Sequence, residues 1–583
     1  MFLLGIHTSQ HDAAACLFRD YELIAAVSLE RLTRIKGDGI STAQELPIPA
    51  IDECLRIGGI SRADIDVVCA TRDIWEMQFF ALPGHWRLKQ LMNRLAGKKR
   101  LHRMTYLMTK LGTDNALDIF DARAFKRRCG FDKAQIFFCN HHFAHAIAAY
   151  FYSQFDDALL YTADGSGDNV CYSARIARNS EFELLFGGDE KLHTIMPAHS
   201  LGLLYGYFTQ ALGFIIDRHE GKLTGLSAYG EPRAAEEILR HFWVEANGEI
   251  GTDFADIEVM RGFAHDVGRR LSREDAAASV QFVLEKLICE AVEKLLRATG
   301  MRSLALAGGV FANVRLNRAL LETTSAERAF IFPAMGDEGL PVGACLHYLH
   351  ERDGAQAWQR QRRRLQTLYL GRDYDGKFAA DANQYPNVVR QTIGHVEKAV
   401  DALVAGEVVA IYTGRMEYGP RALGDRSILV SPVQREINDS INRRLGRSEF
   451  MPFAPVVLAD HAAELFDIHD GNAYAARFMT ITCDVRPPWR DRIAAVVHVD
   501  GSARPQIIEE KDNPLYFRVL DQFYRRTGLP VLVNTSFNVH EEPIVDKPDQ
   551  ALRALVDGRV DYILTHDALY TAAQSGAQEN RVR

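Results

Sequence analysis

Between Asn140 and Asp168 the chain reads NHHFAHAIAAYFYSQFDDALLYTADGSGD. His141 and His145 stand four apart in an alanine-rich run, which predicts a helix with both imidazoles on one face, one turn apart. Asp164 then ends the apolar strand Ala158–Ala163, just before Gly165 and Gly167. A helix start is thereby tied to a strand end. Two imidazoles and a carboxylate offer three ligands to a divalent ion and require a fourth from elsewhere in the chain. A glycine-rich turn after a strand also lets backbone N–H groups approach phosphate oxygens. Histidines at this spacing arise more often as core residues, each hydrogen-bonded to a neighbour. No Glu stands between the two, which excludes the HExxH pattern of zinc proteases.

A length of 583 residues suggests more than one domain, and 47% apolar with 25% charged residues suits a globular enzyme. The net charge of −8 argues against a dedicated nucleic-acid binder. Nine scattered cysteines without a CxxC pair read as reduced thiols of a cytoplasmic protein. The N-terminus lacks the basic start of a signal peptide, and no run approaches the about 18 apolar residues of a membrane span.

The N-terminal stretches Phe2–Ile6, Ala13–Phe18 and Glu22–Leu29 predict a three-strand meander. The polar turn carrying His11 and Asp12 is a place for a substrate group or an ordinary hairpin turn, and Lys36 falls in a charged cluster soon after. Residues 74–130 break the strand–helix rhythm with bulky apolar and basic residues, and read as inserted helices. They form either an acceptor wall or a solvated surface. Lys222 sits in an expected loop, Glu220–Gly230, placed to meet a phosphate or carboxylate. The strand Ser303–Leu306 delivers Gly308 and Gly309, expected to open a helix bearing Asn313 and Asn317 and to seat a nucleotide. Asp337 follows another strand and is the candidate fourth metal ligand, with a helix N-cap as the alternative. Residues 351–366 turn polar and basic and read as a linker. The second α/β segment carries loop arginines, Arg415, Arg421, Arg426, Arg443, Arg444, Arg447 and Arg504, suited to a polyanionic small molecule or to a surface ion-pair network. No internal repeat is visible.

HHFAHA with ADGSGD, LAGGVFANVRLN, GDEGLPVGA, GRMEYGPRALGDRS, MPFAP, ARPQ and NTSFNVHEEPI resemble, in that order, the motifs of O-carbamoyltransferases that decorate antibiotics and nodulation factors. The resemblance implies an α/β chain of two domains. Residues 1–350 would be a Kae-type domain of the actin/sugar-kinase/heat-shock-ATPase fold with a helical insertion at 74–130, and residues 367–583 a YrdC-like domain. It implies carbamoyl phosphate and ATP, with Mg(II), as substrates, a carbamoyl-adenylate intermediate, and transfer to an acceptor hydroxyl beside a divalent metal. That metal is iron in the family, with Mn(II) and Zn(II) as alternatives. By motif match His141, His145, Asp164 and Asp337 are the metal ligands, and His11 and Lys36 stand beside the reacting hydroxyl. His11, if deprotonated near neutral pH, would take the acceptor's proton. Gly165, Gly167, Lys222, Gly308, Gly309 and Asn313 would bind nucleotide in the first domain. Arg415, Arg421, Arg426, Arg444, Arg447, Arg504 and Asn534 would hold carbamoyl phosphate and ATP in the second. One departure stands out: Leu445 and Met451 occupy positions where relatives carry basic residues, and Arg444 is the candidate replacement. A tRNA threonylcarbamoyl-adenosine enzyme and a non-catalytic nucleotide-binding partner are the competing readings. The first is disfavoured by the acidic charge, the second by the intact metal and phosphate groups.

Overall fold

A computed structural model describes residues 1–40, 46–96, 100–194, 198–446 and 453–573. The chain divides into two compact units, Met1–Leu365 with Asp470–Ala475, and Gln366–His469 with Ala476–Arg583.

The first unit holds two five-stranded sheets of one topology. In the first, β1 (Phe2–His7), β2 (Ala14–Arg19) and β3 (Glu22–Ser28) form an antiparallel meander. β4 (Val67–Thr71) and β5 (Gln135–Cys139) continue on the other side of β1, parallel to it. Helix α1 (Ile48–Gly58) crosses from β3 to β4 and buries Ala50, Ile51, Cys54 and Leu55, the stripe its spacing places on one face. In the second sheet β6 (Asp157–Gly167), β7 (Val170–Arg178) and β8 (Glu181–Phe186) repeat the meander. β9 (Ser303–Ala307) and β10 (Arg328–Ile331) repeat the parallel pair. Helices α2 (His141–Ser153), α3 (Leu201–Ala211), α4 (Glu220–Leu226), α5 (Ile257–Arg270), α6 (Arg273–Thr299), α7 (Val314–Thr323) and α8 (Leu340–Asp353) complete this part of the unit. The strand orders are β3-β2-β1-β4-β5 and β8-β7-β6-β9-β10. The fold thus repeats although the sequence shows no repeat. A doubled meander followed by two parallel strands is the architecture of actin, sugar kinases and heat-shock ATPases. β4 and β9 are buried along their whole length, so they read as unbroken apolar runs rather than alternating ones.

Each repeat closes with a helix, α2 after β5 and α8 after β10. These two helices touch backbone to backbone: a Cβ on Gly343 would stand 1.8 Å from the Ala144 carbonyl oxygen. Only glycine permits that approach, and the approach brings the starts of α2 and α8 together.

Two expectations are corrected here. Glu220–Gly230 is not a loop but α4 followed by a 3₁₀ turn, Ser227–Tyr229, because Leu223 and Leu226 bury one helical face. Residues 351–366, read as a linker, span the division between the units and are packed against the first. Helix α9 (Ala355–Gln359) carries Trp358, fully buried, whose Nε1 donates to the Leu346 carbonyl at 3.0 Å, and Arg362 lies over the Tyr150 ring at 3.9 Å. The insertion is not helical throughout, since Ile74–Glu76 pairs antiparallel with Leu101–Arg103. Its Trp75, Phe79, Phe120 and Phe125 share one core with the first sheet.

The second unit is a mixed eight-stranded sheet. Its strands are β11 (Val388–Gln391), β12 (Val409–Tyr412), β13 (Arg426–Val430), β14 (Ala454–Leu458), β15 (Gln506–Ile508), β16 (Val531–Ser536), β17 (Tyr562–Leu564) and β18 (Leu569–Ala572). They lie in the order β11-β18-β17-β12-β13-β16-β14-β15. All nine cysteines are buried and none forms a disulfide. Among the described residues, no helix is long and apolar enough to cross a membrane.

Gly343→Ala is expected to lower the melting temperature, through an overpacking cost of about 1–3 kcal/mol. Gly262→Ala, in α5 with nothing within 4 Å of the added Cβ, is expected to raise it by about 1 kcal/mol of helix propensity. Thermal denaturation of the two variants checks the pair.

Candidate metal centre

The start of α2 is set by hydrogen bonds before any ligand is considered. Asn140 caps it, its Oδ1 accepting from the Phe143 N–H at 2.8 Å. The His141 N–H donates to Asp168 Oδ2 at 2.9 Å. Arg72 in turn holds Asp168 at 2.7 Å and Asp189 at 3.1 Å, so the buried anchoring carboxylate of Asp168 is itself paired. From this fixed start the helical repeat places the His141 and His145 rings 4.9 Å apart. His142, between them, points the other way, to Thr162 Oγ1 at 2.8 Å and the Val170 carbonyl at 2.9 Å, and burial pushes its pKa down to about 3.

Asp164 from β6 and Asp337 from the 3₁₀ turn before α8 meet those rings. Asp164 Oδ2 lies 3.1 Å from His145 Nε2 and 3.4 Å from His141 Nε2, and Asp337 Oδ1 lies 3.5 and 3.6 Å from the same nitrogens. One ligand atom from each of the four residues falls within 4.8 Å of all the others. Burial opposes every charge here, but the pairing outweighs it. Asp73 and Asp337 hold the His141 imidazole well above its usual range, and His141 with His145 holds Asp164 well below the ordinary carboxylate range. Two carboxylates and two imidazoles match the charge and the donor types of a divalent ion, so the residues fit one. Asp337 begins its turn with no side-chain cap, so the N-cap alternative does not describe it.

The nearby glycines serve these ligands. A Cβ on Gly167 would stand 2.2 Å from the His141 ring, and one on Gly309 would stand 3.1 Å from Asp164 Oδ1. The Gly165 N–H donates to Asp164 Oδ1 at 2.6 Å, so that amide is already engaged. Gly308 and Gly309 do not open a helix directly. A 3₁₀ turn, Gly309–Ala312, intervenes and α7 begins at Val314. Asn313 is its cap, accepting from the Leu316 N–H at 3.1 Å and donating to Gln281 at 2.8 Å. Lys222 is buried in α4. His11 Nδ1 contacts Asp12 Oδ2 at 3.0 Å, and the Asp12 N–H donates to the Gly37 carbonyl at 3.3 Å, which brings the segment bearing Lys36 alongside. Burial works against a charge on His11, yet Asp12, with Asp337 and Asp217 beyond it, raises its pKa above the usual range. The Asp12 contact opposes the deprotonation on which a base role for His11 is conditional.

In the second unit, several expected anion-binding arginines are committed to their own backbone. Arg426 is fully buried over the Tyr412 ring at 3.8 Å and donates to the Thr413 and Asp425 carbonyls. Arg415 donates to the Gly371 and Leu370 carbonyls at 2.9 and 2.7 Å. Arg444, the candidate replacement, pairs with Asp561 at 3.0 Å, and Leu445 is buried. Arg447 and Met451 lie outside the described residues. Arg421 and Arg504 are instead joined through their neighbours. Gln506 donates to the Leu423 carbonyl at 2.6 Å and accepts from Asn534 at 2.7 Å, and Asn534 donates to the Ala422 carbonyl at 3.2 Å. Glu417 Oε1 accepts the N–H groups of Leu423, Asp425 and Arg426 at 3.0, 2.9 and 3.0 Å, wrapping the turn around one carboxylate oxygen. Glu417 and Gln506 escaped the sequence reading. Each left a trace only as a letter of a quoted motif, Glu417 in GRMEYGPRALGDRS and Gln506 in ARPQ.

The family model described as carbamoyltransferase N-terminus matches residues 3–346, and that described as carbamoyltransferase C-terminus matches residues 400–572. This chain belongs to the carbamoyltransferase family. It is similar to nodulation protein NolNO of Sinorhizobium fredii, at 32% identity over 95% of this chain and 78% of that protein. It is also similar to an uncharacterized protein of Synechocystis sp., at 30% identity over 99% of this chain and 98% of that one. Among solved structures, full-length HypF in its phosphate- and nucleotide-bound form aligns with a TM-score of 0.34 at 12% identity, over 61% of this chain and 47% of that one.

For this carbamoyltransferase the ligand set makes a direct prediction. Purified protein is expected to bind about one divalent ion per chain, and Asp164→Asn or His145→Ala to lower that content at least tenfold with the fold retained. Elemental analysis after dialysis against a chelator and reloading checks it.

Proposed function

We propose that this carbamoyltransferase carbamoylates a hydroxyl of a natural-product or sugar acceptor, using carbamoyl phosphate and ATP in two steps. On the second unit, which we read as YrdC-like, carbamoyl phosphate is hydrolysed to carbamate and phosphate. The carbamate oxygen then attacks the α-phosphorus of ATP, giving carbamoyl-adenylate and pyrophosphate. On the first unit the acceptor oxygen attacks the carbamoyl carbon and AMP leaves. Adenylation makes chemical sense, because a plain alcohol is a poor nucleophile towards carbamoyl phosphate and the mixed anhydride offers a better leaving group.

The observation that carries this reading is the buried ring of two imidazoles and two carboxylates inside the N-terminal family match. His141, His145, Asp164 and Asp337 would hold a divalent ion; their nitrogen and oxygen donors suit Fe(II), Mn(II) and Zn(II) alike, and the family resemblance puts Fe(II) first in our reading. Bound there, the ion supplies a Lewis acid that offsets charge on the leaving phosphate. A His11 imidazolium cannot accept the acceptor's proton. In this reading it steadies the departing negative charge, Lys36 orients the acceptor, and the Asp12 carboxylate takes the proton. On the second unit Arg421 and Arg504, anchored through Gln506 and Asn534, hold the phosphates bidentately.

Carbamoyl phosphate and ATP together are expected to yield pyrophosphate, and either alone not. Arg421→Ala should cut pyrophosphate formation about 10- to 100-fold, the loss of a charge-assisted contact of about 1.5–3 kcal/mol. His141→Ala should abolish acceptor carbamoylation and keep pyrophosphate formation. Pyrophosphate release, with mass spectrometry on a panel of hydroxyl compounds, decides it. An unimpaired Arg421→Ala, or equal loss of both partial reactions in His141→Ala, refutes the division of labour.

A further inference from the structure

Two residues that no motif singles out stand behind the ligands. His7 ends β1 and is fully buried, and Asp73 follows β4 with 15% of its side chain exposed. Asp73 Oδ1 lies 3.3 Å from His141 Nδ1, and its Oδ2 lies 3.2 Å from His7 Nδ1. His7 Nε2 lies 3.4 Å from Asp337 Oδ2, and Thr71 Oγ1 touches His7 Nδ1 at 3.1 Å, fixing the ring from the strand. The side chains therefore form one continuous line, His141–Asp73–His7–Asp337. It engages the far atoms of two ligands and leaves their near atoms, His141 Nε2 and Asp337 Oδ1, facing each other at 3.6 Å.

We propose that Asp73 and His7 are positioning residues that brace His141 and Asp337 for the metal ion, an inference that rests on the metal-centre reading above. The physical argument is one of orientation. An imidazole that ligates through Nε2 carries its hydrogen on Nδ1, and Asp73 Oδ1 is the acceptor waiting for it, so tautomer and ring plane are set together. Asp337 stands in a short 3₁₀ turn, and its carboxylate would swing about two side-chain torsions. Contact with His7 at Oδ2 turns Oδ1 to the site. Asp164 is held differently, by the N–H of its own neighbour Gly165. The brace joins the helix that closes the first repeat to the turn that precedes the closing helix of the second, so it also sets the distance between ligands from separate halves of the unit.

The test uses the full-length protein with Co(II) as the probe, followed by its visible d–d absorption and by competition with a chelator. Asp73→Asn and His7→Ala are each expected to weaken Co(II) binding about 10- to 100-fold and to shift the absorption band. The double variant is expected to lose little more than the weaker single one, because both substitutions cut one chain of contacts. Asp73→Asn keeps the side chain's shape, and His7→Ala reads the same link from the other end. A fold lost in one variant, seen in its melting curve, leaves the other to decide. Unchanged affinity and spectrum in the folded variants, with the ion lost in Asp164→Asn, overturns the brace and leaves the metal centre standing. A wild-type protein that binds no Co(II) overturns both.

Discussion

A charge taken out of water must be paired, and in the first unit nearly every consequence follows from that constraint. Its core-forming strands end at one rim, and the ends carry polar groups: His7 on β1, Arg72 and Asp73 after β4, Asn140 and His141 after β5, Asp164 on β6, Asp337 after β10. Parallel strands place their carboxyl ends side by side, which is where ligands gather in open α/β sheets. Arg72 bridges Asp168 and Asp189, and these fix the first turn of α2. With that turn fixed, the two imidazoles are aimed at Asp164 and Asp337. Remove the Arg72 guanidinium and the buried Asp168 carboxylate loses its counter-charge, and Asp189 its partner. The ligand geometry is thus the last layer of a paired network that begins in the core.

The second unit solves a different problem with the same residue types. A guanidinium has five donors and no acceptor, so a buried one must find carbonyls or carboxylates. Arg426 finds carbonyls of the turns beside it, whereas Arg415 finds the Gly371 and Leu370 carbonyls of the strand Tyr369–Asp373, and each holds the backbone it binds. Glu417 does the converse, satisfying three amides of the turn that follows Arg421. A loop whose amides and carbonyls are all occupied from within is rigid, and a rigid loop can present Arg421 at a constant place.

How much of this was legible in the sequence follows from what each residue's role depends on. His141, His145 and Asp164 were readable because helix period and strand ending are local facts. Asp337 was readable by analogy, a second aspartate between a strand end and a helix start. Asp73 was not, since TRDIW resembles any charged turn after a strand, and its role exists only once β1, β4 and α2 lie side by side. Gly167 marks a close approach of His141, and a sequence cannot tell an approach by protein from one by phosphate. Arg426 misled for the same reason: a fork suited to phosphate is equally suited to a carbonyl pair, and only burial decides between them. The doubled topology was invisible because the two repeats share strand order without sharing residues, and their connections differ, one through α1 and the other through α3 to α6.

That duplication gives the ion a second office beyond chemistry. His141 and His145 belong to the helix that closes the first repeat, Asp164 to the strand that opens the second, and Asp337 to the turn that leads into its last helix. An ion bound to all four ties the ends of both repeats at a single point. Empty, the same point holds two carboxylates whose mutual repulsion only the histidines offset. Binding free energy delivered there is therefore also folding free energy for the unit, because no such constellation exists in the unfolded chain. The Gly343–Ala144 contact works to the same end from the apolar side, pressing α2 and α8 together where the ion would clamp their starts.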